Sequence, residues 1–448
     1  MQKYNKFYFK SFEFNQDSLK ASFHYSFDND EFFEEVIDFH SEIWELRGDL
    51  DAEIIDNILF HIHIALWISY YKLCPTNELV VESWILDDYQ VKFWKKFYIN
   101  WLWEFLYTNK ISPEWLFDFK INTEKKYIKK EFDIKDKYLV PVWWWKDSIV
   151  SIELLKNKNL DLCVFWTNDE LKSDTAKIAW RQIVLIKRKL SENLFKLNNK
   201  WYYNWHVPIT WLIAFVLELV MYLYNYKYTI LSNERSANYW NTTWKWLTIN
   251  HQYSKSLEFE KDFWEYVWIY ISNKIKYFSL LRWLYETKIA EKFSSVGKKY
   301  FSSFSSCNWN FKILNKLSYI KSQKRWCNTC PKCIFVFTIL RPYITKKEVL
   351  EIFWEDLFER KDLEKIFKEL LWISWIKPLE CVWESEEMIY SMYLSIRDHY
   401  KTLPYILEIF KKEVLNKLKE ADINKIEKKL DRIYEDDIIP SEIKQIVI

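Results

Sequence analysis

The sequence predicts an α/β protein built on a doubly wound parallel sheet. An α+β domain precedes it over residues 1–135, the sheet domain spans 136–345, and a helical domain follows over 346–448. Three observations carry this. Short apolar runs alternate with helical segments from about residue 136, as parallel strands joined by crossover helices must. The first 135 residues mix aromatic-rich short segments with a helical repeat. The chain after Pro342 turns to Lys/Glu-rich amphipathic repeats.

In chain order, "AEIIDNILFHIHIALWISYYKL" (52–73) repeats its apolar residues at three and four and reads as a helix. "KYLVPV" (137–142) reads as a buried strand and is followed by a helix from Ser148. "LDLCVF" (160–165), "RQIVLI" (181–186) and "KYTILSNERS" (227–236) read as further strands. Between the last two lies "PITWLIAFVLELVMYLY" (208–224), apolar enough to suggest a membrane span. Pro208 and the central Glu218 interrupt it, so it is expected to be a buried helix of the sheet domain. "KKEVLEIFWEDLFERKDLEKIFKELL" (346–371) opens the helical domain.

Bulk properties narrow the function. The chain has 448 residues, half of them apolar, so it can bury a large core. A formal net charge of +2 gives no electrostatic footprint for nucleic acid or an anionic membrane. The opening "MQKYNKFYFKSFEF" lacks the apolar core of a secretory leader. A cytoplasmic location follows, with the seven cysteines as thiols or metal ligands rather than disulfides.

Tryptophan and glycine are out of balance. There are 27 Trp and 2 Gly, and the two together come close to the ~7% that glycine alone usually takes. Trp follows Asn at Asn100-Trp101, Asn204-Trp205 and Asn308-Trp309, where Asn-Gly would be a turn signal and Asn-Trp is none. "NYWNTTWKW" (238–246) and "RWCNTCPKC" (325–333) set indoles among small polar residues with no periodic face to bury them. The expectation is a decoding difference: UGA codons meaning glycine are written here as tryptophan. The preference for Lys over Arg and the many Ile, Asn and Tyr fit an AT-rich genome. Trp94 in "VKFWKKFY" is the best candidate for a genuine tryptophan, and position 211 is expected to be glycine.

With glycine restored, "LVPVWWWKDSIVSIELL" (139–155) becomes a glycine-rich turn between a buried strand and a helix N-terminus. Positions 143, 144 and 145 (Trp143, Trp144, Trp145) would then bring backbone N–H groups close to an anion, with the helix dipole behind them. Lys146 would neutralise phosphate charge, Asp147 would hold Mg²⁺, and Ser148 would cap the helix or bond a phosphate oxygen. The segment resembles the PP-loop of the ATP pyrophosphatase superfamily, whose pattern is Ser-Gly-Gly-X-Asp-Ser after the first strand of an adenine nucleotide alpha hydrolase-like sheet. Position 143 departs from the usual Ser. The resemblance implies ATP as a substrate, cleaved between its α and β phosphates.

Two further stretches, "YYNWHVPIT" (202–210) and "LSNERSANYWNTTWKWLTINHQYSKSLEFEKDF" (231–263), resemble the UDP-N-acetylmuramoyl-L-alanyl-L-glutamate epimerase family once glycine is restored. "FHIHIALWISYYKL" and "FYINWLWEFLY" extend the resemblance upstream, so that it spans the chain to about residue 400. It implies an ATP-dependent isomerase that inverts the terminal L-Glu of the UDP-MurNAc dipeptide in peptidoglycan precursor synthesis, releasing AMP and pyrophosphate. Within these stretches Asn233, Glu234 and Arg235 lie at the carboxyl end of a predicted strand, where open α/β sheets place ligands. Arg235 suits a carboxylate or phosphate clamp, and Glu234 suits metal binding or proton abstraction. His206 and His251 are candidate proton carriers, for each of which an ordinary structural hydrogen bond is the plain alternative. Tyr253, Ser254 and Lys255 are candidates for holding the substrate's anionic groups.

Cys327, Cys330 and Cys333, with Cys307 upstream, supply four thiols, enough for a tetrahedral zinc site. A similar cluster in the PP-loop enzymes that build 7-cyano-7-deazaguanine supports zinc. Buried thiols, or one Cys in proton transfer, are the alternatives. Cys74, Cys163 and Cys381 are expected in the core. Two other functions stay open: a PP-loop ligase or thiolase acting on tRNA or a nucleobase, which the neutral charge opposes, and a non-catalytic ATP-binding module, which the second polar constellation opposes.

Overall fold

The computed structural model describes the chain apart from residues 1–3, 42–44, 128, 143–144, 166–169, 201, 205–208, 240–241, 245–246, 251, 308–324, 374–384, 436 and 447–448. The side chains of 115, 170–173, 242–244 and 247–249 are likewise outside the description.

An antiparallel meander opens the fold: β1 (Lys6–Asn15), β2 (Lys20–Phe27) and β3 (Glu31–Asp38). Asp28 and Asn29 form the β2–β3 turn with φ of 46° and 59°, a conformation that Asp and Asn tolerate better than most residues. Two short strands, β4 (Glu78–Val81) and β5 (Asp118–Ile121), extend the β1 edge in parallel. The helix Ala52–Leu66, capped by the Asp51 carboxylate, packs across this sheet with its neighbours in one apolar core.

Five strands of the second half pair with one another in parallel. β6 (Tyr138–Pro141), β7 (Leu160–Phe165), β8 (Ile183–Lys189), β9 (Tyr228–Leu231) and β12 (Lys276–Ser279) lie in the order β12-β9-β6-β7-β8. Every residue of β6, β7 and β9 is buried, as strands covered by helices on both faces must be. The order makes β6 and β9 the place where chain progression reverses, which is where doubly wound sheets bind ligands. β8 then pairs antiparallel with β3, so one ten-stranded sheet runs across residue 135. A separate two-stranded ribbon joins β10 (Thr242–Trp244) to β11 (Leu247–Ile249).

The apolar segment at 208–224 is the helix Ile209–Tyr224, with every residue from Trp211 to Tyr224 buried. Glu218 is buried within it, and its carboxyl oxygens meet no hydrogen-bond partner among the described residues. Burial alone pushes that carboxyl far above the usual range, so the group enters the core neutral. Among the described residues one helical stretch, Ala52–Tyr71, is long and apolar enough to cross a membrane, and 83% of its most apolar window is buried inside the protein.

Beyond residue 330 the fold is helical, with Pro331–Leu340, Lys346–Phe353, Glu364–Leu370, Ser385–His399, Tyr405–Glu413 and Glu420–Asp431. Thr345 and Glu348 form a capping box that starts the second of these. It stops at Trp354, which is left-handed at φ 63°.

Candidate functional site

The turn after β6 delivers the helix Lys146–Leu154, with Trp145 as its N-cap residue. This helix begins two residues earlier than the expected start at Ser148, so Ser148 sits inside the first turn and cannot be the cap. The Lys146 side chain, on the first residue of this helix, is drawn inward, where it pairs with Asp147 at 2.5 Å and with Glu286. Lys146, Asp147 and Ser148 are all buried.

A small pocket opens here, at the carboxyl ends of β6 and β9. Lys146 and Asp147 line one side, Glu234 enters from the segment after β9, and Glu286 comes from the first turn of helix Glu286–Val296. Gln252 and Lys255 enter from the segment after β11, and Ser306 and Lys332 from beyond the sheet. Three carboxylates and three ammonium groups therefore share one wall-to-wall space. Burial first and then Asp147 beside it, with a smaller push from Glu234, raise the Glu286 carboxyl to about 8 against the opposing pull of Lys146. Burial likewise raises Asp147 against the pull of Lys146, while the two carboxylates hold Lys146 above its ordinary value despite its burial.

The indole of Trp145 lies in this space. The Nζ of Lys255 stands 4.3 Å from its ring centre and the Nζ of Lys332 4.8 Å. The residues fit a metal and a phosphate chain, since carboxylates are the ligands that Mg²⁺ takes and ammonium groups answer phosphate charge.

Behind the pocket Arg282 is completely buried. It donates to the carbonyl oxygens of Glu234 at 2.7 Å and Lys255 at 2.5 Å, and pairs with Glu260 at 2.6 Å. Asn233 also reaches Glu260, at 3.4 Å, so it braces this network from the side. At the top of helix Glu286–Val296, the backbone N–H of Glu286 donates to Glu387 of the helical domain at 2.7 Å. The C-terminal helices thus help to fix a pocket residue.

The remaining expected residues fall into two groups. Arg235 lies beside the pocket with its guanidinium carbon 3.4 Å from the ring centre of Tyr434. The Tyr253 hydroxyl donates to Asp262 at 3.1 Å, and Ser254 is buried in the same short turn. Trp143, Trp144, His206 and His251 lie outside the described residues. Sequence reasoning missed Gln252, Arg282, Glu286, Ser306 and Lys332. Three of them had a signal beside them: Gln252 between His251 and Tyr253, Ser306 before Cys307, and Lys332 between Cys330 and Cys333.

Cys307, Cys327, Cys330 and Cys333 come together, all four sulfurs lying within 4.8 Å of one another. Cys330 and Cys333 are 3.4 Å apart and Cys327 and Cys333 3.7 Å, near the roughly 3.8 Å edge of a tetrahedron with ~2.3 Å zinc–sulfur bonds. Hydrogen bonding, first from Cys307, holds the Cys327 thiol well below its ordinary value. Of the cysteines expected in the core, Cys74 and Cys163 are buried, and Cys381 lies outside the described residues.

Comparison with known proteins gives the family. Residues 1–280 match the model of the MurL N-terminal domain and 303–425 that of the MurL C-terminal domain. A protein of Xanthomonas oryzae pv. oryzae named UDP-N-acetyl-alpha-D-muramoyl-L-alanyl-L-glutamate epimerase is 31% identical over 76% of this chain and 74% of its own. Proteins of the same name from a Micromonospora species and from Salinispora tropica are each 29% identical, over 91% and 88% of this chain and 90% and 85% of theirs. No solved structure matches. With both domain models matched in order over most of the chain, this chain belongs to the MurL epimerase family.

Proposed function

We propose that this chain epimerises the terminal L-Glu of UDP-MurNAc-L-Ala-L-Glu to D-Glu, coupled to cleavage of ATP to AMP and pyrophosphate, in cytoplasmic peptidoglycan precursor synthesis. The observation that carries the reading is the convergence of Lys146, Asp147, Glu234, Lys255 and Glu286 on one pocket at the switch point of a doubly wound sheet. The names of the relatives supply the substrate. The loop after β6 is read as a PP-loop.

The chemistry explains the nucleotide. A carboxylate beside Cα disfavours the carbanion, so the α-carboxylate of the terminal Glu attacks the α-phosphorus of ATP and expels pyrophosphate. The acyl-adenylate withdraws electrons, a base removes the Cα proton, and the proton returns to the opposite face. Water then hydrolyses the adenylate to D-Glu and AMP. Asp147, Glu234 and Glu286 are the candidates for holding Mg²⁺, Lys146 and Lys255 for countering phosphate charge, and Arg235, His206 and His251 remain candidates for the substrate and its proton. The four cysteines are read as a structural zinc site.

The reading includes glycine in place of most tryptophans. It is supported by Trp180, Trp354 and Trp372, which adopt left-handed backbone at φ 54°, 63° and 57° just past helix ends, the position that glycine favours. Trp180 is 91% exposed there. Trp101 and Trp211 meet edge to face at 4.8 Å between two helices, and neither buried indole N–H has a hydrogen-bond partner among the described residues. Trp94 differs: it is fully buried and its indole N–H donates to the Tyr266 hydroxyl at 3.1 Å.

The test is a synthetic gene with Trp→Gly at every tryptophan but Trp94, assayed with ATP, Mg²⁺ and UDP-MurNAc-L-Ala-L-Glu. Pyrophosphate release that depends on the dipeptide, together with D-Glu, is the expected result. A folded, ATP-binding protein that yields neither product would discard the substrate.

A further inference from the structure

Tyr434, in the segment after the last long helix, lies against the two stretches that carry pocket carboxylates. After β9 the chain passes from Glu234, a pocket residue, into Arg235, whose backbone N–H donates to the Leu284 carbonyl oxygen at 2.9 Å. Leu284 stands shortly before Glu286, so the two stretches are joined main chain to main chain at the pocket edge. The guanidinium carbon of Arg235 lies 3.4 Å from the ring centre of Tyr434, and the ring of Tyr285, next to Glu286, meets the Tyr434 ring at 5.9 Å and 72°. Tyr285 also belongs to a small apolar core shared with helices Ser385–His399 and Glu420–Asp431, against which Tyr434 packs. Beyond Tyr434 the chain is anchored. Asp437 accepts from the Ile439 N–H at 2.7 Å and pairs with Lys444 at 3.3 Å, Ile439 and Ile443 are buried, and Tyr228 at the start of β9 donates to Glu442 at 2.9 Å.

A guanidinium carbon 3.4 Å from a ring centre sits over the ring with its plane nearly flat on it, because a steep tilt would drive a nitrogen into the ring. Such a stack fixes the plane of the N–H fork and uses none of its donors, whatever else the fork bonds. Arg432, an exposed residue, reaches the same ring at 5.0 Å, a looser contact. We propose, on the reading of Arg235 as a residue that meets the substrate, that Tyr434 is a positioning residue. It sets the plane in which Arg235 presents its fork to an oxyanion of the ligand, a carboxylate or a phosphate, and so makes the segment after helix Glu420–Asp431 a part of the binding site.

Calorimetry tests this on the full chain with Trp→Gly at every tryptophan but Trp94, with ATP, UDP-MurNAc-L-Ala-L-Glu and UDP-MurNAc-L-Ala each titrated alone. Tyr434→Leu is expected to weaken binding about fivefold to tenfold for the ligand whose oxyanion meets Arg235. Tyr434→Phe keeps the ring and loses only the 3.4 Å bond to the Lys429 carbonyl oxygen, so it should recover most of that affinity. A loss confined to the dipeptide ligand names a glutamate carboxylate, a loss shared by both UDP-linked ligands names the diphosphate, and a loss for ATP names the triphosphate. Arg235→Lys keeps the charge without the fork and should weaken the same ligand. Adding Tyr434→Leu to it should cost nothing more, because Tyr434 acts through Arg235. Parent affinity for all three ligands in Tyr434→Leu, or a full additional loss in the double variant, overturns the proposal. So does parent affinity in Arg235→Lys, a result that decides the matter even if Tyr434→Leu does not fold. If the parent chain binds none of the three ligands, the proposed function fails and the role of Tyr434 with it.

Discussion

Arg282 donates from Nη1 to the carbonyl oxygen of Glu234 at 2.7 Å, so a guanidinium with no solvent exposure holds the main chain of a pocket carboxylate. Its other nitrogen holds Lys255 from across the same pocket, and Glu260 balances the charge. The arrangement makes Arg282 a positioning residue. Replacing it with Met strands the buried Glu260 carboxylate and frees two loops at once. Loss of about 3–5 kcal/mol of stability is expected by denaturant titration. Arg282→Lys keeps the charge without the fork, so it should recover stability more than turnover. Equal recovery of both would reduce Arg282 to a purely structural role.

Glu286 makes folding stability fall with pH. Its carboxyl, near 4.5 in the unfolded chain, rises to about 8 in the fold because burial and the neighbouring Asp147 oppose ionisation. Below pH 4.5 both states hold the proton and the contribution is complete. Between the two values only the folded chain keeps it, so stability declines until pH passes about 8. The loss across this window is on the order of 5 kcal/mol. Urea titrations in EDTA, so that no divalent cation competes, should show that decline in the parent chain and a flatter profile in Glu286→Gln. Parallel profiles would place the titration on another group.

Much of the sheet was legible because its signals are local. β7 coincides with the apolar run 160–165, and the helix at 209–224 with the run containing Glu218, since both are long and buried on all sides. Lys146, Asp147, Glu234 and Lys255 could be singled out because each sits in a polar motif next to a strand end. Glu286 and Arg282 could not: they reach the pocket and its rear wall from the segment that follows β12, and nothing in "LLRWLYETKIA" sets them apart from surface charges. The pairing of β3 with β8 was equally hidden, because edge partners far apart in the chain leave no periodic trace.

The four cysteines should bind one zinc per chain. Their sulfur spacing already matches a tetrahedral set, and three of the four are buried, so ligand exchange with solvent is restricted. Elemental analysis of the purified protein gives the count, and Cys333→Ser should remove the metal and lower the melting temperature. An intact stoichiometry in Cys333→Ser, or an absence of metal in protein purified without chelator, would leave the cluster as buried thiols.

Tryptophan at a left-handed position should be costly and tryptophan with a satisfied N–H should be valuable. Trp180, Trp354 and Trp372 have φ above 50° and are 91%, 45% and 48% exposed, so they gain little from burial while bearing the steric cost of a Cβ. Changing each to Gly should stabilise the fold by about 1 kcal/mol, and the three together by roughly 3 kcal/mol because they lie on separate helix ends. Trp94→Gly removes a fully buried ring from the interior of helix Asp88–Thr108 and one of the hydrogen bonds to the Tyr266 hydroxyl, so it should cost roughly 4–5 kcal/mol. Denaturation midpoints of the four single variants decide the matter. A uniform loss at all four would mean that the indoles past the helix ends are native, and opposite signs would mark residue by residue which tryptophans stand where glycine belongs.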